Sequence, residues 1–210
     1  MKGSIPAPRF YSRFGNVARS EANLPHWDQD GVTCFATFRL SDSLPQERLL
    51  PFLDARDEWL KRHPQPWDEK MTGEYAAQFD GVAERWLDEG LGSCILGEAA
   101  SRRLIEDALR YFDAKRYALY AYVVMPNHVH VLFMPNHGES IAAILHSWKS
   151  FTAHKLKPLM PDDRPVWQKE SWDRLVRNDE HFRWVMGYIK KNNPKLAWTV
   201  YDVFGEETCA

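Results

Sequence analysis

Two neighbouring runs of β-branched and aromatic residues constrain the fold of this chain more than any other feature. Residues 117–124 and 128–134 both favour strands, and only Met125-Pro126-Asn127 separates them. Proline cannot donate to a strand ladder and asparagine tolerates turn geometry, so these three residues predict a tight connection. The centre of the chain is therefore expected to be a pair of strands in one sheet.

The second of these strands begins with a histidine pair. Alternate side chains of a strand share a face, so His128 and His130 point to one side while Val129 points to the other. Two imidazoles about 7 Å apart along a rigid strand can share one metal ion. Half-buried strand histidines also occur without a metal, so the spacing alone leaves both interpretations open.

Composition allows one sizeable hydrophobic core. The chain has 210 residues, of which 44% are hydrophobic, and its net charge of −2 argues against a strongly basic nucleic-acid binder. The charge is unevenly distributed, because residues 141–200 carry 11 Lys+Arg against 6 Asp+Glu. This asymmetry permits a local anion-binding face within an acidic protein.

Cysteine usage and hydropathy predict the compartment. The three cysteines, Cys34, Cys94 and Cys209, have no metal-type spacing and are odd in number, which is typical of a reducing environment. The N-terminal residues show no apolar segment of the kind found in secretory leaders, and no apolar run is long enough to span a membrane, so neither secretion nor membrane spanning is expected. We expect a cytoplasmic protein that does not contact a membrane.

The order of predicted elements indicates an α+β sandwich, with an antiparallel sheet and helices mostly on one face. One domain is expected at 25–200, with a partly ordered tail at 1–24 and a second tail at 201–210. A helical insertion is expected at about 58–97, where the stretch 67–97 is acidic and aromatic. The remaining predicted elements are a strand at 32–40, helices at 45–62, 98–112 and 140–156, an extended or irregular segment at 167–173, and a helix that Asn178 caps and Pro194 ends.

That last helix carries a candidate nucleophile. A phenol is a weak nucleophile at neutral pH, but Tyr188 can attack phosphorus if a divalent metal withdraws charge from the phosphate. Asn192 follows one turn later on the same face, and its carbonyl oxygen can complete a site with the two imidazoles.

Several motifs together resemble the REP-associated tyrosine transposases, which belong to the IS200-like, HUH single-tyrosine transposase superfamily. The resemblance extends in order from about Pro25 to Leu196. The motifs that carry it are Pro25-His26-Trp27-Asp28, Thr37-Phe38-Arg39-Leu40, Met125-Pro126-Asn127-His128-Val129-His130, His146-Ser147-Trp148-Lys149-Ser150-Phe151-Thr152, Trp167-Gln168, Asp173-Arg174, Tyr188-Ile189 and Asn193-Pro194.

The resemblance implies a ferredoxin-like fold with His128 and His130 as the metal-binding pair and Tyr188 as the nucleophile. It implies an enzyme that cuts single-stranded DNA beside a REP-like hairpin, forms a 5′-phosphotyrosine link and frees a 3′-hydroxyl. The metal would be Mg²⁺ or Mn²⁺, the location nucleoid-associated, and the active form a monomer or a homodimer. The insertion carries no motif of the family.

The sequence departs from the family after the tyrosine. The family pattern is Tyr-Ile-x-x-Asn-Pro, whereas this chain has one extra residue before Pro194. Asn192 keeps the four-residue step to the tyrosine, and Asn193 keeps the step to the proline. We expect Asn192 to be the third metal ligand because one helical turn aligns it with Tyr188, and Asn193 stays the alternative.

Four cations near these motifs are candidate contacts to the DNA backbone. They are Lys149, Arg174, Lys190 and Lys191. Two other functions compete with the nuclease-transposase. One is a hairpin-binding protein of the same fold that has lost cleavage, and the other is a hydrolase in which the metal activates water.

Overall fold

The computed structural model describes residues 5–21, 25–64, 67–79 and 81–199. The C-terminal tail predicted at 201–210 lies outside the described residues. In chain order the elements are β1 (Ala18–Glu21), β2 (Pro25–Asp28), β3 (Cys34–Arg39), α1 (Gln46–Arg62), α2 (Glu69–Phe79), α3 (Val82–Asp88), α4 (Ala99–Tyr111), β4 (Tyr117–Val124), β5 (His128–Pro135), α5 (Ile141–Leu156), β6 (Trp172–Leu175), α6 (Asp179–Asn192) and β7 (Trp198–Thr199).

The main sheet has the strand order β6-β3-β5-β4-β7, and its neighbouring strands are antiparallel. Its first four strands follow a βαββαβ path, in which the helical segment α1–α4 joins β3 to β4 and α5 joins β5 to β6. This is the ferredoxin-like arrangement, so the expected α+β fold is confirmed. Strand β7 extends it at one edge, and β1 and β2 form a separate two-stranded sheet.

Both faces of the central strand β5 are covered, which is why all eight of its residues are buried. Val129, Val131 and Phe133 belong to the core cluster under α4 and α5. Leu132 belongs to a second cluster, which packs under α6 on the opposite face. By the two-residue period of a strand, His128 and His130 lie on the α6 face.

Helix α6 begins at a well-formed cap and presents one apolar stripe to the sheet. The Asn178 side chain accepts a hydrogen bond from the His181 backbone at 2.8 Å, as the sequence predicts. The predicted core face is confirmed, because these four residues are buried: Phe182, Val185, Met186 and Ile189. Tyr188 lies beside this stripe and is half-buried.

The insertion forms its own aromatic cluster. Trp59 of α1 contacts the rings of Tyr75 and Phe79 of α2, with centroids 5.3 and 6.2 Å away. Phe52 of α1 contacts Trp86 of α3 at 5.3 Å. Helices α2 and α3 therefore pack on α1, and the end of α3 reaches the turn that precedes β5.

The predicted N-terminal tail, residues 1–24, makes specific contacts where it is described. The Tyr11 backbone donates to the Val176 carbonyl at 2.8 Å, and the Tyr120 hydroxyl donates to the Pro6 carbonyl at 3.0 Å. Among the residues that the structure describes, each helix is too short or too polar to cross a bilayer.

Candidate active site

The two histidines at the start of β5 converge on one point. His128 Nε2 and His130 Nε2 are 3.0 Å apart, and both side chains are fully buried. Two ligands bound about 2.1 Å from an ion and 3.0 Å from each other subtend about 90° at it, the angle between neighbouring ligands of an octahedral ion. The pair therefore has the spacing of two metal ligands.

The Nδ1 atom of each ring has a hydrogen-bond partner, and for His128 this partner fixes the state of Nε2. Asn127 Oδ1 lies 2.8 Å from His128 Nδ1, and the Asn127 amide nitrogen donates to the carbonyls of Leu87 and Leu91. These two bonds fix the amide orientation, so its oxygen accepts from His128 Nδ1–H and leaves Nε2 with a free lone pair. An imidazole in this tautomer is ready to bind a metal.

Thr37 lies beside Nδ1 of His130, as Asn127 lies beside Nδ1 of His128. It pairs with His130 across β3 and β5, and its hydroxyl lies 2.8 Å from His130 Nδ1. A hydroxyl both donates and accepts, so Thr37 can support either tautomer of this ring. His130 Nε2–H can thus donate to His128 in the absence of a cation, and His130 can offer a lone pair when a cation is bound.

Burial keeps both imidazoles neutral. It lowers the pKa of His128 to about 3. The pKa of His130 is also lowered well below its usual value, mainly by burial and in part by His128. Neutral imidazoles are the form that metals bind, so the site fits a divalent cation.

The pair alone does not complete a metal site. Within the described part of the chain, no group of three or more His, Cys, Asp or Glu side chains is arranged to hold a metal ion as it stands. The two imidazoles therefore need further ligands, either from other side chains after a small movement or from a substrate.

The phenol of Tyr188 lies directly beside the histidine pair. Its oxygen is 3.4 Å from His130 Nε2, and its ring contacts Phe35 edge-on at 5.9 Å. The indole of Trp184, one turn earlier on α6, stacks on the same ring at 5.5 Å with an interplanar angle of 13°. These contacts hold the phenol beside His130, within a single chain.

The expected third ligand makes a different contact in the structure. The amide nitrogen of Asn192 donates to the Tyr188 carbonyl at 2.9 Å, inside α6. Asn193 follows the end of the helix, and its side-chain oxygen accepts from the Lys195 backbone at 3.2 Å. The ligand role of Asn192, with Asn193 as its alternative, stays a prediction.

The four predicted DNA contacts lie in different surroundings. Arg174 is exposed on β6 and pairs in register with Phe35, so it lies on the Tyr188 face of the sheet. Lys190 and Lys191 occupy the last turn of α6, where Lys191 is exposed. These three cations lie on the same side of the sheet as the phenol.

Lys149 is placed differently from the other three. It lies on α5, against the opposite face of the sheet, and lines a groove of about 870 Å³. Its ammonium group donates to the Lys169 carbonyl at 2.7 Å and to Ser171 at 3.3 Å. Burial lowers its pKa to about 8. Its predicted contact with the same DNA strand would need the strand to pass around the sheet edge.

Three residues near the pair were not assigned a role from sequence. Asn127 was detectable as the residue before the first histidine, and Thr37 only through the β3–β5 pairing. The third is Asp88, at the end of α3, whose carboxylate oxygen is 4.0 Å from His128 Nε2. No sequence pattern connects an insertion residue with the histidine pair 40 residues later.

Comparison with known proteins identifies the segment that builds this site. Residues 93–191 match the family model described as transposase IS200 like. This segment belongs to the IS200-like transposase family. The resemblance seen in the sequence is confirmed over this segment, which is that of a transposase enzyme. The matched range includes His128, His130 and Tyr188, and it excludes Asp88 and Asn192.

The chain also resembles a solved structure. That structure is described as the REP-associated tyrosine transposase bound to a REP hairpin. The match covers 83% of this chain and 74% of the other chain, with 16% sequence identity and a TM-score of 0.46. No curated protein matches the chain. Transposases of the IS200-like family generally use a divalent metal ion.

Proposed function

We propose that this transposase is a single-stranded DNA endonuclease and strand transferase that acts at DNA hairpins. Tyr188 is the nucleophile, and His128 and His130 bind Mg²⁺ or Mn²⁺, with Asn192 as the ligand expected from sequence. The observation that carries the proposal is the 3.4 Å distance between the Tyr188 hydroxyl and His130 Nε2. A phosphate bound beside the histidine pair would lie within reach of the phenol oxygen.

The chemistry exchanges one phosphate ester for another. The Tyr188 oxygen attacks phosphorus, its proton goes to solvent, and the bond to the 3′ oxygen breaks, so that the leaving strand ends in a 3′-hydroxyl. The 5′ phosphate stays on the tyrosine as a phosphodiester. A 3′-hydroxyl can later attack this link and release the phenol, so no external energy source is needed. The metal, when bound, withdraws charge from the scissile phosphate.

The chain's own contribution is positioning. Phe35 and Trp184 contact two sides of the Tyr188 ring, and the buried stripe of α6 fixes the helix that carries it. An oriented nucleophile converts the attack into an intramolecular step, which removes much of the entropic barrier. This arrangement matters more for a phenol than for a stronger nucleophile.

A cleft beside the tyrosine provides a track for the strand. Its volume is about 780 Å³, and Arg174, Arg177 and Trp184 line it. Trp184 is 59% exposed, so its free ring face can stack an unpaired base, while the guanidinium groups contact backbone phosphate. Asp173 and Glu180 also line the cleft and balance the two arginines. Lys190 and Lys191 add positive charge beyond Tyr188, and Lys149 is proposed as an outlying contact.

The proposal is tested by a covalent adduct. The full chain is incubated with single-stranded hairpin DNA and Mn²⁺ or Mg²⁺, and the products are separated on a denaturing gel. The wild type is expected to form a protein–DNA adduct that EDTA abolishes. Tyr188→Phe should form none, and Tyr111→Phe, a change at an exposed tyrosine of α4, should behave as the wild type.

Two results would indicate other functions. Hairpin binding without an adduct in any divalent metal would indicate a binding protein that has lost cleavage. Turnover that persists in the Tyr188→Phe protein would indicate a hydrolase that uses metal-activated water.

A further inference from the structure

We propose that Asp88, at the end of the helical insertion, is a third ligand of the divalent metal bound by His128 and His130. The inference rests on the proposed function, because it concerns the same metal. It assigns a role to a segment that carries no motif of the transposase family and that lies outside the matched range 93–191.

The position of Asp88 is fixed by buried contacts. The Asn127 amide donates to the carbonyls of Leu87 at 3.1 Å and Leu91 at 3.0 Å, which precede and follow Asp88 in the chain. The Leu87 side chain is 1% exposed and packs in the cluster under the insertion. The same Asn127 side chain orients His128. One amide therefore holds the acid and the imidazole in register.

The distance allows direct ligation after a small rotation. The Asp88 oxygen is 4.0 Å from His128 Nε2. Neighbouring ligands of an octahedral ion with bonds of about 2.1 Å are about 3.0 Å apart, so the carboxylate must approach by about 1 Å. The Asp88 side chain is 46% exposed, so it is not packed in the core.

The chemistry of the donor set favours the same conclusion. Mg²⁺ and Mn²⁺ prefer oxygen ligands, and two neutral imidazoles supply none. A carboxylate supplies both oxygen and negative charge. An acidic side chain in the last turn of a helix is disfavoured by the helix dipole, so its place at the end of α3 suits a bound cation.

Asn192 is the weaker candidate for the same position. Its amide nitrogen is bonded to the Tyr188 carbonyl within α6, and its oxygen carries no net charge. A neutral amide adds less to the binding of a hard cation than a carboxylate does. The geometry points to Asp88 as the side chain that completes the protein's own ligand set.

The experiment measures Mn²⁺ binding to the full chain, without DNA, by the electron paramagnetic resonance signal of free Mn²⁺. Asp88→Asn is expected to raise the dissociation constant at least about tenfold. The matched control is Asp54→Asn, which makes the same change at an exposed site on α1 and should leave binding unchanged. Circular dichroism and the melting temperature verify that each variant is folded.

A second variant reports the identity of the ligand rather than its charge. Asp88→His replaces oxygen by imidazole and should shift the preference from Mn²⁺ towards Co²⁺, at least about tenfold in the ratio of their dissociation constants. A change in the visible spectrum of bound Co²⁺ would accompany it. A residue that acts only through long-range charge would not give this shift.

The outcomes separate the two proposals. If Asp88→Asn binds Mn²⁺ as the wild type does while His130→Gln does not, the role of Asp88 is wrong and the histidine pair stands. If Asp88→His leaves the metal preference unchanged, direct ligation is wrong. If the wild type itself binds no Mn²⁺, the metal site in the proposed function fails, and this inference fails with it.

Discussion

Asn127 is the residue on which the geometry of the site depends most. Its oxygen accepts from His128 Nδ1–H, and its nitrogen donates to two carbonyls of the insertion. Asn127→Ala leaves those buried carbonyls unpaired, so we expect a loss of about 2–3 kcal/mol in the free energy of unfolding, measured in urea. Mn²⁺ affinity should fall about 10- to 100-fold, because the ring is no longer oriented.

The sequence offers a matched control for that variant. The sequence Met-Pro-Asn-His of residues 125–128 occurs again at residues 134–137, where Asn136 takes the place of Asn127. The Asn136 amide donates to the Lys115 carbonyl, away from the histidine pair. Asn136→Ala should leave Mn²⁺ affinity unchanged. Equal losses of affinity in the two variants would contradict the orienting role of Asn127.

Burial of the histidine pair predicts acid sensitivity in the metal-free protein. The pKa of His128 is lowered from 6.5 to about 3, so the unfolded state binds more protons between these values and stability falls as pH drops below 6.5. At pH 5.5 the loss attributable to this ring is about 1 kcal/mol relative to high pH. Urea unfolding in EDTA at pH 7.5 and 5.5 measures it.

The comparison variant for this measurement is His128→Gln, which removes the titrating group. It should lose about 1 kcal/mol less than the wild type over the same pH interval. An identical pH dependence in both proteins would show that His128 does not titrate as burial requires.

Sequence reasoning predicted that the two histidines share a face but not which residues support them. The two-residue period of a strand placed His128 and His130 on one face, and the structure has them there. Thr37 is separated from His130 by 93 residues, and only strand pairing brings them together. Local patterns carry no information about such a contact, which is why the partner of His130 was not predicted.

At the scale of elements, α1 contains a defect that can be tested. Pro51 lies inside this helix, and its side chain is exposed. Because proline has no N–H, the hydrogen bond to the Glu47 carbonyl is missing. Pro51→Ala should raise the free energy of unfolding by about 1–2 kcal/mol, less than the full proline penalty because the unfolded chain also gains freedom. Urea unfolding measures the change.

Pro45 provides the control for this substitution. It stands at the N-cap position of α1, where no helical hydrogen bond is lost. Pro45→Ala is expected to leave stability unchanged or to lower it. A stabilisation as large as that of Pro51→Ala would show that the gain does not come from a restored helical hydrogen bond, since the unfolded chain gains freedom in both variants.

The elements with a clear periodicity of hydrophobic residues were predicted well, and the edge strand β6 was not. The bounds of β4, β5, α5 and α6 agree closely with the sequence patterns. The segment predicted as extended or irregular at 167–173 forms β6 at Trp172–Leu175, and Trp167 makes only an isolated bridge to Leu40. An edge strand has one partner and no apolar alternation, so its register is decided by β3.

At the scale of the whole molecule, the Tyr188 phenol and the histidine pair lie side by side within one chain. The 3.4 Å contact between Tyr188 and His130 requires no second copy. A mixture of His130→Ala and Tyr188→Phe proteins should therefore form no adduct, since neither chain carries a complete site. The denaturing-gel assay on hairpin DNA measures this directly.

Exchange of α6 between subunits would give the opposite result. A mixed dimer would then combine an intact histidine pair with an intact tyrosine, and the adduct would reappear at a fraction of the wild-type yield. Activity that rises with the square of protein concentration would accompany it. Either observation would contradict a site built within one chain.

The central claim is that Tyr188 becomes the phosphotyrosine, and peptide mapping of the purified adduct tests it most directly. After nuclease and trypsin digestion, the nucleotide mass should lie on the peptide from Trp184 to Lys190, whose only tyrosine is Tyr188. Finding the nucleotide on any other peptide, with this one unmodified, would contradict the account.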